Sequence, residues 1–179
     1  TGNSQLAVVE ALMEQPNINW GQVEAFHMDE YVGISPLHPA SFRHWLKIRV
    51  QDKQKLAAIH FINGDTVDLD FEIARYTTLL RAAPLDIAFV GFGENGHIAF
   101  NDPPVADFAD PAALKVVTLD PICRRQQVGE GHFKDVASVP SQAITVTCSE
   151  LFRAKAWICC VPELRKAGAV RDALEGPVS

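Results

Sequence analysis

No apolar run in this 179-residue chain reaches the ~18 residues that a membrane-spanning helix needs, and no secretory leader pattern opens it. The expectation is a cytoplasmic protein with no membrane partner. No block of consecutive basic residues occurs either. With 16 Lys and Arg against 22 Asp and Glu, the formal net charge is −6, which argues against a nucleic-acid partner. An acidic balance does not exclude an anionic small molecule, because a few local donors suffice to hold one. C-x-x-C spacing is absent: Cys123, Cys148 and the adjacent Cys159 and Cys160 give no zinc frame and no redox motif. They read as reduced packing residues, most of them buried. Repeats, low-complexity runs and linkers are missing too, so a single domain over 1–179 is expected. Its abrupt opening on Thr1-Gly2-Asn3-Ser4 and its stop just after Glu175-Gly176 suggest that this domain continues at both ends.

What is present is an alternation of two periods. Helical spacing of apolar residues runs over Ser4 to Gln15, Ser41 to Arg49, Asp68 to Ala83, Pro121 to Gln127, Cys148 to Ala154 and Glu163 to Leu174. Strand-like runs lie at Val23 to His27, Ala57 to Ile62, Leu85 to Val90, Lys115 to Leu119, Ala143 to Thr147 and Ala156 to Val161. Such βα alternation predicts an α/β fold: a doubly wound, mainly parallel sheet with helices on both faces, a three-layer sandwich.

The run Gly91-Phe92-Gly93-Glu94-Asn95-Gly96-His97 follows the most strand-like of these segments and continues to Asn101-Asp102-Pro103. Glycines let a backbone turn tightly and approach a ligand. A histidine just past such a turn lies at the strand end where open α/β sheets hold their ligands, and an acid–base role follows. Gly91, Gly93 and Gly96 also match G-x-G-x-x-G. That fingerprint requires a full helix behind the third glycine, and Pro103-Pro104 interrupts here, so a dinucleotide site is not expected.

Three further groups carry chemistry. Thr1-Gly2-Asn3-Ser4 leads into a helix, where free N–H groups, hydroxyls and the positive end of the dipole suit a phosphate; simple N-capping by Ser4 is the plainer explanation. At a strand end, Asp29 and Glu30 are adjacent carboxylates. Side-chain alternation sends them to opposite faces, so one serves chemistry while the other ties down a loop, unless both simply face solvent. Lys166, at a strand-to-helix junction, adds a mobile positive charge if it is not merely solvated.

Together these motifs resemble the glucosamine-6-phosphate deaminase (isomerase) family over essentially the whole chain. The resemblance rests on Thr1 to Ser4, on M-D-E-Y-V-G at Met28 to Gly33, and on His38 to Phe42. It continues through Asn63-Gly64, Gly91 to Pro103, Lys166-Ala167 and Glu175-Gly176. It implies conversion of glucosamine 6-phosphate and water to fructose 6-phosphate and ammonia, with no metal and no organic cofactor. The implied partner is a small-molecule sugar phosphate, and a homo-oligomer is compatible with it. Asp29 corresponds to the base that moves a proton between C2 and C1. His97 corresponds to the group that opens the sugar ring, with Asp102 and Asn95 orienting it. Thr1, Gly2, Asn3, Ser4 and Lys166 correspond to the phosphate-binding set, with Gly93 and Gly96 in the substrate loop.

Three positions depart from that pattern. Asn95 stands where some members carry aspartate, and Asp102 is one methylene shorter than the glutamate often found there. Gln127 aligns with a phosphate-binding arginine, for which Arg124 or Arg125 is the expected substitute. Two other readings remain open, a 6-phosphogluconolactonase-like hydrolase and a non-catalytic sugar-phosphate sensor.

Overall fold

The computed structural model describes residues 1–177. Its first helix, α1 (Leu6–Met13), continues a 3₁₀ turn over Asn3–Gln5. Two short strands follow, β1 (Glu24–Phe26) and β2 (Asp29–Tyr31). The next helical segment is not uniform. α2 (Phe42–Leu46) widens into a π turn over Lys47–Gln51 where one helix was expected. β3 (Ala58–His60), α3 (Leu69–Leu80) and β4 (Ile87–Val90) lead to the glycine–histidine loop. Beyond it come β5 (Leu114–Thr118), α4 (Pro121–Gly129), β6 (Gln142–Val146), α5 (Cys148–Leu151), β7 (Ala156–Cys159) and α6 (Ala167–Glu175).

Local chemistry sets several boundaries. Asp68 accepts from the Phe71 N–H at 2.9 Å to start α3, and Asp120 accepts from Ile122 at 2.7 Å to start α4, with Pro121 in the first turn. No described helix is long and apolar enough to cross a membrane.

The α/β alternation holds, with parallel pairs β1–β3 and β4–β7, each joined by a crossover that contains helix. To these the chain adds an antiparallel sheet, β2–β6–β5. β6 is its middle strand, and Ala143 and Ile144 in it are fully buried. Because successive side chains face opposite ways, Ala143 joins one apolar cluster with Tyr31, Phe42, Phe100 and Cys123. Ile144 and Val146 join the other, with Ile62, Tyr76, Leu80 and Leu114. One strand thus walls off two cores, and β2 beside it carries the paired carboxylates.

Candidate active site

The loop after β4 is shaped around His97. Gly96 takes φ +83°, and its N–H donates to the Gly93 carbonyl at 3.1 Å, while the Gly93 N–H donates to the His97 carbonyl at 2.9 Å. A Cβ on Gly93 would overlap the imidazole itself, so glycine is required for the ring to lie where it does. Ala99 follows at φ +53°, an uncommon conformation for a residue with a side chain, and it sits on the cavity wall. The loop is pinned from behind: Asn101 Nδ2 donates to the Ile98 and Val146 carbonyls at 3.0 and 2.9 Å. Thr145 Oγ1 accepts from the Phe100 N–H at 3.1 Å. No helix follows Gly96, and the dinucleotide geometry is absent from this segment.

His97 Nδ1 lies 2.6 Å from Asn95 Oδ1 and 3.1 Å from Asp102 Oδ1. Asn95 Nδ2 donates to the same Asp102 oxygen at 2.9 Å. A nitrogen facing two oxygens carries the proton, which leaves Nε2 of a neutral ring as a free base. Burial pushes the Asp102 carboxyl up, but the hydrogen bonds from His97 and Asn95 outweigh it and hold Asp102 below the usual range. Asp102 therefore stays charged and offsets an imidazolium.

On β2 the two carboxylates separate as alternation requires. Glu30, fully buried, accepts from Ser41 Oγ at 2.7 Å and from the Arg43 and Phe42 N–H groups at 3.0 and 3.2 Å. It fastens the start of α2. Asp29 points the other way, into the cavity that His97 also lines. Burial, helped by the negative charge of Glu30, raises the Asp29 pKa to about 6, against the positive charge of the Thr1 amino group, a weak hydrogen bond from Thr1 Oγ1 at 3.4 Å and the His97 charge. A carboxyl with that affinity is half-ionised at about pH 6 and mostly ionised at neutral pH, which suits reversible proton transfer at carbon.

Thr1, Gly2, Asn3, Ser4, Gly93 and Lys166 line the same cavity as Asp29 and His97. Lys166 is only 5% exposed, far from the solvated lysine that sequence alone favours. Asn95, Asp102 and Gly96 are not on the cavity wall. The first two stand behind the imidazole, and Gly96 turns the loop without touching the space a substrate would occupy. The arginine expectation is corrected. Arg124 donates to the Val136 and Val139 carbonyls at 2.6 and 2.8 Å, Arg125 is exposed, and neither lines this cavity. The helix puts Gln126 and Gln127 there instead, with Gln127 Oε1 accepting from Tyr31 Oη at 2.7 Å.

Sequence reasoning also missed Gln5, Glu130 and His132 on the wall. Gln5 Nε2 donates to the Val90 and Cys160 carbonyls at 3.1 and 3.4 Å, docking the first loop onto the ends of β4 and β7. Nothing in the sequence marks it, because a glutamine entering a helix ordinarily faces water. The cysteines are all free, as expected, with Cys123 and Cys148 buried, but Cys159 is exposed. Ligand atoms of His97, Asp102 and Cys123 come within 4.8 Å of one another. Burial pushes the Cys123 thiol up, so it stays protonated, and His97 Nδ1 is already engaged; the trio is a poor cation site.

A buried carboxylate, an imidazole backed by a carboxylate and an amide, and a buried lysine thus line or support one cavity at the strand ends of an α/β fold. Residues 2–179 match the model of the glucosamine-6-phosphate isomerases/6-phosphogluconolactonase family, and the chain belongs to it. A glucosamine-6-phosphate deaminase of Exiguobacterium sibiricum is 32% identical over 179 residues, spanning all of this chain and 69% of that protein. The enzyme of the same name from Lactobacillus delbrueckii subsp. bulgaricus is 29% identical, with 74% of its length covered. Among solved structures, a monomeric glucosamine-6-phosphate deaminase superposes with TM-score 0.90 at 28% identity, over 100% of this chain and 75% of that one. The 6-phosphogluconolactonase of Thermotoga maritima shares the fold at TM-score 0.72 and 17% identity, over 98% of this chain and 73% of that one.

Proposed function

We propose that this protein is a glucosamine-6-phosphate deaminase, releasing ammonia and fructose 6-phosphate from glucosamine 6-phosphate and water. The observation that carries the reading is that Asp29 and His97 face one cavity whose wall also holds Lys166 and the Thr1 to Ser4 loop. His97 Nε2, with Nδ1 held by Asn95 and Asp102, exchanges a proton with the ring oxygen and anomeric hydroxyl and opens the pyranose. Asp29 then takes the C2 proton of the open-chain amino aldose and returns one to C1. That shift places the C=N bond at C2, where water adds and ammonia leaves, giving the 2-ketose. Lys166 and the Thr1, Asn3 and Ser4 donors hold the phosphate, so that binding energy far from C1 and C2 positions the reacting carbons. Free thiols fit action in a reducing compartment, the cytoplasm.

Ammonia release, coupled to glutamate dehydrogenase and run beside hydrolysis of 6-phosphogluconolactone, tests the reading. Turnover of the amino sugar phosphate and not of the lactone is expected. Lactone hydrolysis alone would assign the protein to the hydrolase branch, and sugar-phosphate binding without either reaction would make it a sensor.

A further inference from the structure

The wall of the cavity holds one Lys or Arg among the described residues, Lys166, and that cation is already partnered. Glu130, just past the last turn of α4, brings Oε1 to 3.9 Å from Lys166 Nζ, with the Glu130 and Lys166 side chains only 8% and 6% exposed. The same oxygen accepts from Gln126 Nε2 at 2.8 Å and lies 3.4 Å from Arg165 Nη2; Oε2 lies 3.4 Å from His132 Nε2. Burial pushes this carboxyl up, but the neighbouring His132 ring, the Gln126 hydrogen bond and the Lys166 charge hold it below its ordinary range, so it is ionised. Where a second cation would help an anion stands Gln127, which is neutral, with its Oε1 accepting from Tyr31 Oη.

We propose that Glu130 is a specificity-determining residue: a resident carboxylate that competes with the substrate's phosphate for Lys166 and tunes this end of the pocket against a dianion. The inference rests on the reading that phosphate occupies this end of the cavity. A phosphate entering beside Lys166 meets a like charge a few ångströms away in a partly dry site, where such pairs repel strongly. The ion pair must loosen before the lysine can turn to the phosphate. The geometry therefore favours substrates with less negative charge at their far end than an unopposed lysine would select.

Glu130→Gln keeps an acceptor for Gln126 and removes only the charge. Titration calorimetry with inorganic phosphate should show tighter binding by a factor on the order of ten, the scale of one unit charge removed near the ligand. Glu163→Gln removes a charge that contacts Arg165 but does not line the cavity, and should change phosphate affinity by less than about twofold. In the Glu130→Gln/Lys166→Met double variant the tightening should vanish, which ties the effect to the pair. Unchanged or weaker phosphate binding by Glu130→Gln, or equal tightening by Glu163→Gln, overturns the proposal. Should Glu130→Gln fail to fold, Glu130→Asp draws the charge back by one methylene and should tighten phosphate by a smaller factor; no change there is equally fatal. Tightened phosphate binding without any ammonia release would sink the deaminase reading and leave the role of Glu130 standing.

Discussion

Asn95 and Asp102 converge on one nitrogen: Asn95 Oδ1 lies 2.6 Å and Asp102 Oδ1 3.1 Å from His97 Nδ1, and Asn95 Nδ2 closes the triangle onto Asp102 at 2.9 Å. The amide gives the shorter contact, but only the carboxylate supplies charge. Removing the amide costs a neutral hydrogen bond, about 1 kcal/mol, so Asn95→Ala should lower kcat/KM roughly fivefold. Asp102→Asn removes the charge that offsets an imidazolium and should lower it by a factor of about 30 to 100. Steady-state kinetics of both variants decides. A larger loss for Asn95→Ala than for Asp102→Asn reverses the assigned roles.

Asp29, if it moves the C2 proton, must be ionised in the free enzyme. Its carboxyl is raised to about 6 by burial, so above that pH the base is present and below it the fraction falls tenfold per unit. The kcat/KM profile should show an acid limb of unit slope that bends near pH 6. Asp29→Asn should lower kcat by about 10²–10⁴ with substrate still bound. A profile flat from pH 5 to 8, or a loss in kcat below about threefold, would remove Asp29 from the role.

Gly93 offers a test of ring placement that touches no ionisable group. In Gly93→Ala the new methyl overlaps the His97 imidazole, which its two oxygen partners hold in place. Either the ring or the loop must shift, and a misplacement of about 1 Å costs on the order of 10² in rate. The expected result is a strongly reduced kcat in a folded protein, checked by circular dichroism beside the assay. Wild-type turnover would mean that the ring does not lie over Gly93 in the working enzyme.

Glu30 concerns stability rather than chemistry. Glu30→Ala strands the Ser41 hydroxyl and the Phe42 and Arg43 N–H groups in a buried site and leaves Arg43 without that charge. Breaking such a network costs about 3 kcal/mol or more. Urea unfolding should show it as a lower midpoint, with Glu30→Gln in between. A midpoint unchanged in Glu30→Ala would show that this fastening is dispensable.

The chemistry was more legible in the sequence than the sheet. His97, Asp29 and Lys166 could be picked out because glycines, a strand end and a helix start constrain where such side chains face, and the structure brings all three to one cavity. The alternation of Asp29 and Glu30 was legible, but β2 as a separate antiparallel strand escaped, because three residues are too few to mark one and its partner β6 lies more than a hundred positions away. The π turn after α2 leaves the apolar spacing almost unchanged and so cannot be read from it. Glu130 and His132 reach the wall only through how the end of α4 packs, a tertiary outcome that local pattern does not encode. The missing arginine was legible as an absence, but the sequence suggested the wrong substitute.

The strand shared by the two cores ties the site to the folding equilibrium. Opening either apolar cluster strips one face of β6, and β6 pairs Thr145 with Asp29 and Val146 with Leu114. Neither cluster can melt alone without loosening the other, so the two should unfold in a single cooperative step. Asp29 is thereby mounted on what should be the slowest-exchanging strand pair of the protein. Its position is then lost only when the whole molecule unfolds, and the loop that carries His97 is pinned to the same strand through Thr145 and Val146.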